Sequence, residues 1–82
     1  MKTRDQVQEE VDEEFFGAEV FTTEEFAELM KPDPDDPNNN EIEFVDSSGY
    51  FHDGENLTEI PVDPYTFDQY KDKYPYVAWK KV

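Results

Sequence analysis

The clearest structural signal in the chain is the run TTEEFAELMK at residues 22–31. Thr22 can cap the start of a helix and Glu25 can return a hydrogen bond to it, an arrangement called a capping box. Phe21 and Phe26, on either side of this cap, are spaced to pack together as a hydrophobic staple. The proline that follows the run cannot continue a helix, so the run predicts one helix that begins after Thr22 and ends at about its last residue.

The segment before this helix is strongly acidic. Val7, Val11 and Phe15 recur at every fourth position and would share one helix face, while the remaining faces carry mostly carboxylates. Glutamates four residues apart repel one another and weaken an isolated helix. We therefore expect residues 1–16 to form an acidic, partly flexible arm or conditional helix with its first four residues frayed, and residues 17–82 to form a single domain.

The rest of the chain alternates between loop, strand and helix signals. Asp53-Gly54 is a strong two-residue hairpin signal, and Asp63 followed by Pro64 is typical of a helix start. Pro61 indicates an edge position for the strand that contains it. The predicted elements are a loop at 32–40, strands at 41–46, 50–52, 56–62 and 76–82, a turn at 47–49, and a helix from 64 to about 73.

These elements predict an α+β fold. We expect a small antiparallel sheet of three to four strands with two or three short helices packed on one of its faces. Seven Phe, five Tyr and one Trp provide the apolar area for a core. A chain of 82 residues has room for one such domain.

The charge is the most unusual property of the chain. With 22 acids and 7 bases the formal net charge is −15, and residues 1–70 hold 21 of the acids but only 3 of the bases. This charge excludes nucleic acid and anionic membranes as direct partners and favours basic proteins. The chain contains no Cys and neither a secretory signal nor a membrane-spanning stretch, so we expect a cytoplasmic protein.

The sequence does not single out a catalytic site or a cofactor site. A paired-carboxylate mechanism needs two different environments in a cleft, and a domain this small offers little cleft. His52 is the only histidine, and it lies in a short predicted strand near Ser47 and Ser48. A lone histidine in a strand is far more often a surface or half-buried residue than a catalytic one, so we expect no enzymatic activity.

The acidic loop after the capped helix does not match a calcium-binding loop. Such a loop needs oxygen ligands at positions 1, 3, 5 and 12 and a glycine at position 6. A loop starting at Asp33 would have Pro37 at position 5, and one starting at Asp36 would have Glu41 at position 6 and Ser47 at position 12. We therefore expect no dedicated metal site.

The acidic surface is the strongest functional signal. Duplex DNA carries one negative charge per about 1.7 Å, so the net charge equals that of roughly 25 Å of duplex, which is close to the expected diameter of the domain. Apolar contacts within the charged surface would supply specificity, and Phe15, Phe16, Tyr50 and Phe51 are candidates where they are not core. The predicted partner-binding residues are Asp5, Glu9, Glu10, Asp12, Glu13, Glu14, Glu24, Glu25, Glu28, Asp33, Asp35 and Asp36.

In size, charge and composition, the chain resembles the small DNA-mimic inhibitors that phages encode. These include antirestriction proteins, anti-CRISPR proteins and inhibitors of nucleoid proteins or RNA polymerase. The resemblance implies a non-enzymatic inhibitor that occupies the DNA-binding surface of a basic host protein. The nucleoid protein HU is the favoured target, because HU binds DNA mainly through backbone charge and deformability. An anti-CRISPR or antirestriction role is the alternative within this class.

A second function class remains open. The chain also fits an acidic adaptor or structural protein, such as a virion accessory component, whose charge serves solubility only. In that case the aromatic residues would be buried against the partner and the carboxylates would contribute little to binding. The sequence also leaves open whether the chain forms a homodimer.

Overall fold

A computed structural model of the protein describes residues 2–31, 35 and 47–81. The predicted α+β class is confirmed, with three short helices and a four-stranded antiparallel sheet in this part of the chain. None of these helices is both long and apolar enough to cross a lipid bilayer. In chain order the elements are α1 (Arg4–Glu14), β1 (Glu19–Thr22), α2 (Thr23–Met30), β2 (Ser47–His52), β3 (Leu57–Pro61), α3 (Pro64–Tyr70) and β4 (Tyr76–Lys81).

The sheet is built around the last strand of the chain. The strand order is β1-β4-β2-β3, and every neighbouring pair is antiparallel. Val77 of β4 lies opposite Phe21 of β1 on one side and Phe51 of β2 on the other. Among the described strands β3 is an edge strand, as its Pro61 indicated. The connection between β2 and β3 contains the predicted Asp53-Gly54, but it spans four residues, 53–56, rather than two.

The two faces of the sheet are covered by different helices. Val77 and Trp79 of β4 are buried with Phe26 of α2 and Phe67 of α3. Ala78, which lies between them in sequence, points to the opposite face and is buried with apolar residues of α1. The expectation that all helices pack on one face is therefore wrong, because successive side chains of a strand point to opposite faces and β4 is apolar on both.

Two further details of the predicted elements need correction. Residues 47–49 were expected to form a turn, but they belong to β2 and pair with β4. Residues 19–22 were not predicted as a strand, yet they form β1 at the edge of the sheet. The predicted strand at 41–46 and, apart from Asp35, the predicted loop at 32–40 lie outside the described residues.

The helix starts follow the sequence closely. The Thr22 hydroxyl accepts a hydrogen bond from the Glu25 backbone N–H at 3.1 Å, and the Glu25 carboxylate accepts one from the Thr22 N–H at 2.9 Å. The rings of Phe21 and Phe26 lie 6.2 Å apart, as a hydrophobic staple requires. α3 begins with the same kind of capping box, formed by Asp63 and a threonine three residues later.

Residues 2–4 are ordered rather than frayed, which corrects the prediction for this part of the chain, and Met1 lies outside the described residues. The backbone N–H of Lys2 donates to the carbonyl of Gly54 at 3.0 Å. Thr3 caps α1 through a capping box with Gln6. Val7 and Val11 of α1 are fully buried against the sheet. The proposed division of the chain after residue 16 stays a prediction.

Side chains of α1 also cover the free edge of β1. The Gln8 amide oxygen accepts from the Val20 N–H at 2.9 Å, and its nitrogen donates to the Ala18 carbonyl at 3.0 Å. The Arg4 guanidinium donates to the Val20 carbonyl at 3.1 Å. These backbone groups would otherwise be available for pairing with another chain, so α1 blocks this edge of the sheet.

We expect Gln8→Ala to lower the free energy of unfolding by about 1–2 kcal/mol, because it leaves two half-buried backbone groups without their partner. Urea denaturation followed by circular dichroism measures the change. The control is Gln69→Ala, which alters an exposed glutamine of α3 and should change the stability by less than about 0.5 kcal/mol. Equal effects of the two substitutions would contradict the role assigned to Gln8.

Candidate acidic interaction surface

Four carboxylates form a continuous row on the exposed side of α1. Asp5, Glu9, Asp12 and Glu13 are all exposed. On a helix with 3.6 residues per turn they fall within an arc of about 100°, centred opposite the buried valines. We call these four residues the acidic stripe. The burial of Val7 and Val11 fixes the rotation of α1, and the stripe therefore faces solvent.

The spacing of charge along the acidic stripe is close to that of DNA. Asp5 and Glu13 are eight residues apart, which corresponds to about 12 Å along the helix axis. Four carboxylates in this length give on average one negative charge about every 4 Å, at unequal intervals of about 6, 4.5 and 1.5 Å. One strand of duplex DNA carries one charge per about 3.4 Å. Among the described residues no cation forms an ion pair with the stripe.

Not all of the predicted α1 carboxylates belong to this row. Glu14 is exposed at the end of α1 and lies beside the sheet rather than on the stripe. Glu10 is half-buried and accepts a hydrogen bond from the Lys2 ammonium group. The structure therefore separates Glu10 from the stripe and places it in an internal contact.

The predicted second group of acids is only partly brought together. Glu24 is exposed in the first turn of α2. Glu25 caps the helix and forms an ion pair with Arg4 at 2.8 Å, and Glu28 pairs with Lys31 at 2.9 Å. Asp35 is exposed. The positions of the other two predicted residues, Asp33 and Asp36, lie outside the described residues.

Two of these carboxylates have pKa values set by their internal contacts. The pKa of Glu25 is lowered, first by the hydrogen bond from the Thr22 backbone and then by Arg4. The pKa of Glu10 is lowered mainly by the hydrogen bond from Lys2, with a smaller contribution from His52. The internal contacts of these two carboxylates therefore favour their ionised form.

We expect Glu10→Gln to destabilise the fold at pH 7 and to have less effect in acid. A lowered pKa means that folding favours the carboxylate, so its contribution is present above the usual value of 4.5 and is lost as the pH falls through the lowered pKa. Urea midpoints measured from pH 7 to pH 3 should show the two proteins converging as the pH falls below 4.5 and through the lowered pKa. Glu9→Gln, on the exposed stripe, is the control and should change the stability at pH 7 much less than Glu10→Gln does.

His52 has a structural role in the hairpin turn. The ring is fully buried, and its Nδ1 accepts a hydrogen bond from the Gly54 N–H at 2.9 Å. Its Nε2 lies 3.7 Å from a Glu10 carboxylate oxygen. Ser48 is four residues away along β2, which is about 13 Å in a strand, so these two residues do not form a catalytic pair.

The candidate apolar contacts divide into core and surface residues. Phe51 is fully buried, so it belongs to the core and is not available as an interface contact. Phe15 and Tyr50 are half-buried and pack edge to face with ring centroids 5.5 Å apart. Phe16 is 81% exposed and lies three residues after Glu13, the last residue of the acidic stripe. It is the apolar candidate that the structure leaves most accessible.

The structure also reveals a groove that the sequence did not indicate. It has a volume of about 570 Å³ and lies where the end of α1 meets β2 and β3. Its lining residues are Glu14, Tyr50, Leu57, Thr58 and Glu59. Glu59 stands apart from the dense acidic runs of the sequence, and only the sheet brings this isolated carboxylate near α1.

No group of three or more metal-ligating side chains is placed to hold an ion within residues 2–31, 35 and 47–81. The acidic loop that was compared with a calcium site lies, except for Asp35 and Ser47, outside these residues. Comparisons of the chain with protein-family models, with curated proteins and with solved structures found no match.

Proposed function

We propose that this protein is a DNA mimic that binds a basic nucleic-acid-binding protein and competitively blocks its DNA-binding surface. The observation that carries the proposal is the acidic stripe, a solvent-facing row of carboxylates whose spacing is close to that of the charges on a DNA strand. It belongs to a helix that is packed on the sheet, so the charges are held in place before a partner arrives. Binding to a basic partner through such a row of charges requires neither a catalytic group nor a cofactor.

The expected partner is a cytoplasmic protein with a positively charged DNA-binding groove. Charge complementarity accelerates association and makes binding dependent on salt. The nucleoid protein HU remains the first candidate, because a protein that recognises mainly backbone charge can accept a charge mimic. Proteins targeted by anti-CRISPR or antirestriction inhibitors are the alternative within the same class.

Competition with DNA tests the proposal. The immobilised chain is incubated with a bacterial lysate, and duplex DNA is then added in increasing amounts. The captured proteins should be DNA-binding proteins, and DNA should release them. Purified HU bound to a fluorescently labelled duplex provides the direct assay, in which the chain should lower the anisotropy. Captured proteins that stay bound at saturating DNA would show that mimicry is wrong.

Two exposed aromatic residues favour a second candidate function. Phe16 and Tyr65 are 81% and 78% exposed, respectively, so a large apolar side chain faces solvent at each position. An acidic adaptor or virion accessory protein would use them as apolar anchors for its partner. In that case Phe16→Ala and Tyr65→Ala should weaken partner capture more than neutralisation of the acidic stripe does. The DNA-mimic proposal predicts the opposite order.

A further inference from the structure

The groove at the end of α1 lies on a part of the sheet that no described helix covers. α1 buries Val20 of β1 and Ala78 of β4, but it ends at Glu14. Beyond this point Tyr50 of β2 and Leu57 of β3 are only half-buried. The floor of the groove is therefore aromatic and aliphatic, although it lies beside the acidic helix α1.

Two carboxylates lie at this apolar floor. Glu14 and Glu59 line the groove from α1 and β3, respectively, and both are exposed. Among the residues that the structure describes, neither takes part in an ion pair. The Tyr50 ring is held in place from the side by its edge-to-face contact with Phe15. The groove thus offers a fixed aromatic surface flanked by two negative charges.

We propose that this groove receives an arginine side chain of the basic partner. An arginine has an apolar stem that can cover Leu57 and a planar guanidinium that stacks on aromatic rings and binds carboxylates in a forked geometry. Lysine has the same charge but lacks this planar group, so it should bind less well. A second copy of the chain is disfavoured as the occupant, because it would bring a net charge of −15 against a surface of the same sign.

This inference rests on the proposed function and makes it more specific. Glu14 is the residue after Glu13 of the acidic stripe and lies about 100° further around the helix, so a partner bound along the stripe would reach the groove with a long side chain that passes around the end of α1. The stripe would supply the long-range attraction, and the groove would select partners that present an arginine beside their basic surface. Charge alone does not distinguish one basic protein from another, whereas a shaped contact at the edge of the charged surface can.

Two peptides of equal charge test the groove. One contains four arginines alternating with glycine, the other four lysines in the same positions, and both have blocked ends. Titration into the ¹⁵N-labelled protein should shift the amide signals of Tyr50, Leu57, Thr58 and Glu59 with the arginine peptide. We expect the arginine peptide to bind about 5- to 10-fold more tightly than the lysine peptide. Equal affinities, or shifts confined to the acidic stripe, would overturn the proposal.

A double variant links the effect to the groove. Glu14→Gln with Glu59→Gln should remove most of the preference for arginine. The control is Glu19→Gln with Asp68→Asn, which removes the same charge from exposed positions elsewhere and should keep the preference. If the arginine preference survives the groove substitutions, the groove is not the site. If the chain displaces DNA from a basic protein but shows no arginine preference, the groove proposal is wrong and the DNA-mimic proposal is unaffected. An arginine preference without DNA displacement would contradict mimicry instead.

Discussion

Replacing Asp5, Glu9 and Glu13 together with their amides should weaken binding to a basic DNA-binding protein by about 10- to 100-fold at low salt. Exposed charge pairs are worth up to about 1 kcal/mol each, and 1.4 kcal/mol corresponds to a factor of ten in affinity. Asp12 is left unchanged because its carboxylate accepts a hydrogen bond from Gln8, which holds the edge of β1. Fluorescence anisotropy with HU and a labelled duplex gives the affinity.

The matched control removes three charges from the other surfaces of the molecule. Glu19→Gln, Asp68→Asn and Asp72→Asn change exposed residues outside α1 and alter the net charge by the same amount. If binding depended only on net charge, both triple variants would lose affinity equally. We call the triple variant of Asp5, Glu9 and Glu13 the α1 variant. The DNA-mimic proposal requires it to lose at least several-fold more affinity than the control.

Salt dependence provides a second readout of the same variants. Attraction between exposed charges is screened over about 8 Å at physiological ionic strength. The parent protein should therefore lose affinity steeply as salt is raised, and the α1 variant should show a flatter dependence. A parent protein whose affinity is independent of salt would favour the adaptor function, in which aromatic contacts carry the binding.

Unfolding is not expected to explain a loss of binding in the α1 variant. Asp5/Glu9 and Glu9/Glu13 are like-charged pairs four residues apart on a helix, and each such pair is unfavourable by a few tenths of a kcal/mol. Neutralising them removes this repulsion, while Asp5 also gives up a favourable position near the start of the helix. These effects oppose one another, so the variant should remain folded, which circular dichroism can verify.

Local signals in the sequence predicted the helix starts better than the sheet. The capping boxes at Thr22 and Asp63 depend on residues within one helical turn, and both are present in the structure. β1 was missed because Val20 and Phe21 are both apolar and do not alternate with polar residues. This pattern arises because α1 covers one face of the strand and α2 the other. Strands buried on both faces lack the alternation by which half-exposed strands are recognised.

The candidate site was also predictable only in part. The acidic character of α1 and its buried valine face follow from the spacing of residues in the sequence. The ion pair between Glu25 and Arg4 does not follow from the sequence, because the two residues are 21 positions apart and meet only in the folded chain. The same holds for the groove, which joins Glu14 to Glu59 across the sheet. Contacts between distant segments can be predicted only when the topology of the fold is known, and the composition of the chain does not give the topology.

Gly49 was predicted from the sequence to be part of a turn, but the structure places it inside a strand. Gly49 lies in β2, opposite Trp79 of β4, and it is buried. A methyl group at this position would lie 2.5 Å from the Ala78 carbonyl oxygen and 2.5 Å from Cε3 of the Trp79 ring. The glycine is therefore needed for close packing of the indole against the strand, and not for a bend in the chain.

We expect Gly49→Ala to lower the free energy of unfolding by about 1–3 kcal/mol, the usual cost of overpacking a core. Domains have about 0.05–0.15 kcal/mol of stability per residue, so the loss is a large fraction of the total. The melting temperature should fall by roughly 5–20 °C, measured by circular dichroism. Ser48→Ala is the control, since Ser48 is an exposed neighbour and should change the stability by less than about 0.5 kcal/mol.

A double-mutant cycle with Trp79→Val identifies the contact responsible. Trp79→Val alone removes a buried ring and is destabilising, but it also leaves space where the added methyl group would lie. The double variant should therefore be more stable than the sum of the two single effects predicts, by about 0.5–2 kcal/mol. The clash with the Ala78 carbonyl remains in the double variant, so the compensation should be incomplete. Strictly additive effects would show that the indole does not exclude the methyl group, and the requirement for glycine would then lie in the strand backbone.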